Sequence, residues 1–160
     1  MRRGRRAQAA ATALVALVAA AACARSEGAA RPDAWVEIDR VRVAVELART
    51  PEEQRRGLSG RDGLGWGEGM LFLYRDAGFQ QFWMIDMRFP IDMVWIRDGR
   101  IVGIHHRVPP PADGTPPDAL PRYAPGELVD AVLEVPAGFA QASGWARDSA
   151  VRYGGGALAR

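Results

Sequence analysis

A chain of 160 residues, 48% hydrophobic and 25% charged, is long enough for one compact domain, too short for two ordinary ones, and too apolar to be disordered throughout. All 21 basic residues are arginine, and with two histidines and one cysteine the chain is poor in ligands, nucleophiles and bases and cannot build a disulfide framework. The formal charge of +2 belongs to the N-terminus: residues 23–160 carry 17 Arg against 19 acids and show no clustered basic face of the kind that would bind nucleic acid.

Arg2, Arg3, Arg5 and Arg6 directly precede an uncharged, mostly alanine run from Ala7 to Ala22, the layout of a signal peptide over residues 1–22. The run falls short of the roughly 20 residues that a bilayer-spanning helix needs, so it reads as an export signal rather than a permanent anchor. Cys23 follows Ala20-Ala21-Ala22, where a bacterial lipoprotein carries its lipidated cysteine. The alternative is cleavage around Ala22-Cys23-Ala24 and release of a soluble protein. The predicted location is the periplasm or the outer face of a membrane, with membrane contact only through a lipid on Cys23. Residues 23–34 read as a flexible spacer, 35–153 as the folded domain and 154–160 as a disordered tail.

Val36 and Ile38, then Val41, Val43, Val45 and Leu47, alternate with polar residues as in two half-buried strands joined at Asp39-Arg40. Thr50-Pro51-Glu52-Glu53 is a helix start, with a Thr cap, a Pro at the first helical position and a Glu placed to close a capping box; Gly57 and Gly60 end the helix. The six glycines from Gly57 to Gly69 match neither dinucleotide nor phosphate-loop spacing, so they predict an irregular loop. Met70–Tyr74 and Phe79–Met84 are two apolar runs expected to be strands across a turn at Arg75-Asp76-Ala77-Gly78. Asp98-Gly99 between Asp92–Ile96 and Arg100–Ile104 predicts a two-residue hairpin, and an unbroken register then sets Asp92 opposite His105. Seven of the 11 prolines fall between Pro109 and Pro125, a long loop. A strand at Ala131–Val135, a short helical turn after Gly138 and a strand near Ala150–Tyr153 close the chain.

Thr50-Pro51-Glu52-Glu53, Arg56-Gly57-Leu58 and Arg61, then Gly69-Met70-Leu71-Phe72, then Phe82-Trp83-Met84 through Asp86-Met87-Arg88-Phe89-Pro90-Ile91-Asp92, and Leu133 to Gly138 resemble the family called domain of unknown function 192. The resemblance runs from about Val41 to Val151. It implies an α+β, mostly β fold: a small single-domain antiparallel barrel-like structure with one or two short helices, often exported in bacteria and without an established activity. Ile85 stands where many relatives carry Lys, and Arg147 where a glycine often precedes the Asp of the final turn.

Three constellations bear on chemistry. Asp92 and His105 form a possible base-and-partner pair, although a buried carboxylate commonly needs a partner for structural reasons alone. Met84, Met87 and Met93, with Met70 nearby and His105 as a nitrogen donor, offer soft ligands for Cu(I); methionine is also ordinary core filler. Arg56 and Arg61 are candidates for presenting guanidinium forks to an anionic ligand at the mouth of a barrel beside Trp83, Trp66 for recognising a sugar or peptide, and Asp92 and His105 are candidate ligand contacts as well. These residues favour a binding or accessory module for a small ligand or an envelope protein over an enzyme, with no cofactor predicted. The alternatives are a periplasmic Cu(I)-binding protein and a hydrolase using Asp92 and His105.

Overall fold

The computed structural model describes residues 34–155; the predicted signal peptide, Cys23, the spacer up to residue 33 and tail residues 156–160 lie outside the described residues. Strand β1 (Trp35–Ile38) turns through Asp39 and Arg40, both at positive φ, into β2 (Val41–Ala48). Helix α1 (Pro51–Arg56) begins as its sequence requires. Thr50 Oγ1 accepts from the Glu53 amide at 3.2 Å, and the Glu53 carboxylate accepts from the Thr50 amide at 3.0 Å. At its end Gly57 has φ 48°, a conformation that favours glycine.

The chain then forms β3 (Glu68–Gly78), β4 (Ile91–Arg97), β5 (Arg100–Val108), a 3₁₀ turn (Pro117–Ala119), β6 (Val129–Pro136), helix α2 (Phe139–Ala142) and β7 (Val151–Gly154). The seven strands make one sheet in the order β5-β4-β6-β3-β2-β1-β7, antiparallel except for the β2–β3 pair. The sheet curls until its two edges meet at one end. There the Ile101 amide donates to Ser149 O at 3.1 Å and the Val151 amide to Gly99 O at 2.8 Å. The barrel-like, mostly β expectation is thus met by a half-barrel.

Curling gives the sheet an inner and an outer face, each with its own core. The inner core holds Val36, Ile38, Val43, Leu71, Val94, Ile96, Leu133 and Val135, plugged by Phe139 and Ala140 of α2 and by Trp145. The outer core holds Leu58, Met70, Phe72, Met84, Met87, Met93, Trp95 and Val132. Both faces of β4 and β6 are therefore buried, as the continuous apolar runs in their sequences require.

Two expectations fail. Arg75–Gly78 is not a turn: β3 runs through it, with an irregularity between Leu73 and Gly78. Phe79–Met84 is not a strand either. It lies over the outer face, where Phe82 makes an isolated bridge, exchanging bonds of 2.9 and 2.8 Å with Tyr123. An apolar run of that length is equally satisfied by packing single side chains downward, which is what Phe82 and Met84 do.

The Asp98-Gly99 turn forms as expected, with φ of 49° and 69°, and Ile96 pairs with Ile101. Beyond that pair the register slips, so that Trp95 faces Gly103 and Met93 faces His105, while a second irregularity brings Ile91 opposite Val108. One extra residue inverts every later side chain. The predicted Asp92–His105 pair is overturned for this reason: His105 lies on the outer face with Met93, and Asp92 on the inner face.

Candidate functional site

Asp92 is fully buried at the inner edge of β4, where its carboxylate accepts three backbone amides: Arg107 at 2.7 Å, Gly138 at 3.0 Å and Ala140 at 2.9 Å. His106, not His105, is the imidazole beside it, at 3.9 Å. Arg107 sits at φ 50° in the second irregularity of β5, and Gly138 at φ 85° before α2. Asp92 therefore ties the bulged strand to the start of α2, satisfying donors that neither element could pair internally. This is a structural use of the carboxylate, and it leaves the hydrolase reading without its pair.

His105 belongs to an aromatic stack on the outer face. Its Nδ1 accepts from Trp95 Nε1 at 2.7 Å, and its ring lies edge-on between Trp95 and Tyr123, with centroids 5.7 and 5.5 Å away. Burial, and secondarily the charge of His106, push its pKa below the ordinary value, which favours the neutral ring that accepts from Trp95. Arg61 pairs with both oxygens of Glu46, at 2.5 and 2.8 Å, and its hydrogen bond holds the Glu46 carboxyl below the usual range. Trp66, 66% exposed, lies edge-on against Phe139, 4.9 Å between centroids, at the α2 end of the molecule. Met84, Met87 and Met93, with Met70, are buried packing partners in the outer core.

Arg56 and Trp83 meet elsewhere. They line a cavity of about 440 Å³ on the outer face, bounded by α1, the segment from Gln80 to Met87, Phe72 and Tyr74 of β3, and Arg122 from the proline-rich loop. Local bonds build its walls. Ser59 Oγ donates to Ile85 O at 2.8 Å and the Gly60 amide to Asp86 O at 2.9 Å, fastening the turn after α1 to the opposite wall. The Phe82–Tyr123 bridge holds the proline-rich loop against that wall, and the Arg122 guanidinium stacks 3.6 Å above the Trp83 ring.

The deepest polar group in this cavity is one the sequence reading passed over. Glu134, in the middle of β6, is 5% exposed and lines the cavity. Its register partners are Met70 on β3 and Met93 on β4. A row of side chains therefore crosses the outer face in the order Glu46, Met70, Glu134, Met93, His105. The carboxyl stands between two thioethers, which cannot donate to it, and it makes no hydrogen bond or ion pair with the described residues. Burial alone pushes its pKa up to about 8, so near neutral pH it is an uncharged acid. The arginines that line the cavity are exposed and Glu134 is buried, so they stand at its mouth and Glu134 at its floor. One sequence feature did mark Glu134. A single acid inside the run Ala131-Val132-Leu133-Glu134-Val135 must be buried if both faces of that strand are.

The model of the domain of unknown function 192 family, described as an uncharacterized ACR, matches residues 34–153. A crystal structure of a proposed transcription regulator from Sinorhizobium meliloti 1021 is similar at 26% identity and a TM-score of 0.66, covering 75% of this chain and 91% of that one. A protein of unknown function from Novosphingobium aromaticivorans DSM 12444 is similar at 30% identity and a TM-score of 0.66, over 74% of this chain and 82% of its own. No curated protein matches the chain.

Proposed function

The chain belongs to the domain of unknown function 192 family, and from that premise we propose that it is an exported, membrane-tethered binding module whose outer-face cavity takes a small ligand. One observation carries the binding reading: a carboxyl with no protein partner, more than nine-tenths buried, lines the cavity. Burying a carboxyl without a protein partner costs free energy, and the polar atoms of this one open only onto the cavity, where a ligand can meet them. The cavity volume is within the range of small-molecule sites, and its lining mixes aromatic side chains with arginine, glutamine and the Glu134 carboxyl.

Tethering rests on the arginine head, the alanine run and Cys23. Metabolic labelling with a fatty-acid analogue tests it: the wild type takes up label and Cys23→Ala does not, whereas an unlabelled wild type released into the soluble fraction would refute the tether. The binding reading is tested by heteronuclear NMR against a chemically diverse fragment library. Shifts should gather on α1, residues 80–87 and β6. Hits confined to other surfaces, or none at all, would show that the cavity is not a binding site.

A further inference from the structure

The two ends of the cavity differ in chemistry. At the mouth stand Arg55, Arg56 and Arg122, all exposed. Arg56 lies 3.8 Å from Glu52 across one helical turn, whereas Arg55 and Arg122 have no acidic partner among the described residues. Stacking on Trp83 holds the Arg122 guanidinium in one plane, with its N–H edges free to donate. Between mouth and floor the walls are aromatic: Phe72 and Phe82 meet edge to face at 4.8 Å, and Trp83 and Tyr74 flank them. At the floor is Glu134, the one carboxylic acid that lines the cavity.

Resting on the binding-module reading, we propose that the ligand is an amphipathic organic anion. Its anionic group lies on Arg55 and Arg122, its apolar or aromatic body lies against Phe82 and Trp83, and an acceptor at its buried end takes a hydrogen bond from the Glu134 carboxyl. Charge complementarity selects the anion, since three guanidinium groups stand at the entrance, two of them without an acidic partner among the described residues, and the single carboxyl lining the cavity is buried at its floor. Guanidinium forks match carboxylate, phosphate or sulfonate oxygens bidentately. The aromatic walls favour a planar body. Buried between Met70 and Met93 with no ion-pair partner, the Glu134 carboxyl is favoured in its protonated form and can donate, which suits an acceptor at the deep end of the ligand.

The experiment uses four probes of one shape: 4-(4-methoxyphenyl)butyrate, the corresponding alcohol, the corresponding amine, and 4-(4-ethylphenyl)butyrate, which replaces the ether oxygen by methylene. Calorimetric titration of the domain should rank the methoxy acid first, with at least about a tenfold advantage over the alcohol and a larger one over the amine. Arg55→Ala with Arg122→Ala should bring the acid down to the affinity of the alcohol and leave the alcohol unchanged; both positions are exposed, so the fold survives. Glu134→Leu should abolish the preference for methoxy over ethyl, and Glu134→Gln, which still donates, should keep it. Equal binding of acid and alcohol, or a preference for the amine, would overturn the ligand class while the cavity remained a binding site. Failure of all four probes where library fragments still bind in the cavity would overturn it equally.

Discussion

Asp92 and Glu134 are the two buried acids among the described residues, and they stand one residue apart in register, since Asp92 pairs with Val135 and Met93 with Glu134. That single step puts them on opposite faces of the sheet and in opposite chemical situations. Asp92, on the inner face, accepts three amides and joins β5 to α2. Glu134, on the outer face, lies between two methionines with open cavity beside it. A carboxylate that accepts buried amides tightens the fold, whereas a buried carboxyl without a protein partner weakens it. The inner core is thus organised for stability and the outer face, on this reading, for binding.

Breaking the inner contact should have the largest effect. Asp92→Ala leaves three buried donors unpaired and is expected to cost about 3–5 kcal/mol, lowering the melting temperature by about 10 °C or more in calorimetry. A loss under about 1 kcal/mol would show that the amides find water and that Asp92 is not the tie described.

Glu134 should show the opposite sign and a pH signature. Its proton is held to about pH 8 in the folded chain and released near 4.5 in the unfolded one. The stabilisation linked to that proton is complete below about pH 4.5, declines as the pH rises, and is gone above about pH 8. Relative to Glu134→Gln, the wild type should lose about 1.4 kcal/mol per pH unit across that window. Urea unfolding at several pH values measures it, with the variant more stable than the wild type at neutral pH. Parallel pH profiles would mean that Glu134 is charged and has a partner in solution.

His105→Ala removes the acceptor for the Trp95 indole and should cost about 1–2 kcal/mol. Smallest of all is the coupling between the two faces. Because His105 and Asp92 lie on opposite sides of the sheet, the double variant Asp92→Ala/His105→Ala should equal the sum of the singles within about 0.5 kcal/mol. A larger deviation would restore the direct pairing that an unbroken hairpin register predicts.

Much of this protein was legible from local chemistry. The capping box at Thr50–Glu53, the Asp98-Gly99 turn and the β1–β2 alternation each depend on contacts within a few residues or on hydrophobic period alone. Arg56 and Trp83 were singled out for guanidinium and indole chemistry, and the structure brings them to one cavity, whereas Arg61 and Trp66, singled out with them, lie elsewhere. What the chain alone left undetermined was decided by register and curvature. The slip after Ile101 is invisible in the alternation of Val102-Gly103-Ile104, since a glycine there suits either face, yet it exchanges the partners of Asp92 and His105. The floor of the cavity exists only because the curled sheet sets β6 between β3 and β4 and places Met70 and Met93 on either side of Glu134. Side-chain type is local, but whether a carboxyl meets amides or thioethers depends on which strands lie beside it, and that is a property of the sheet as a whole.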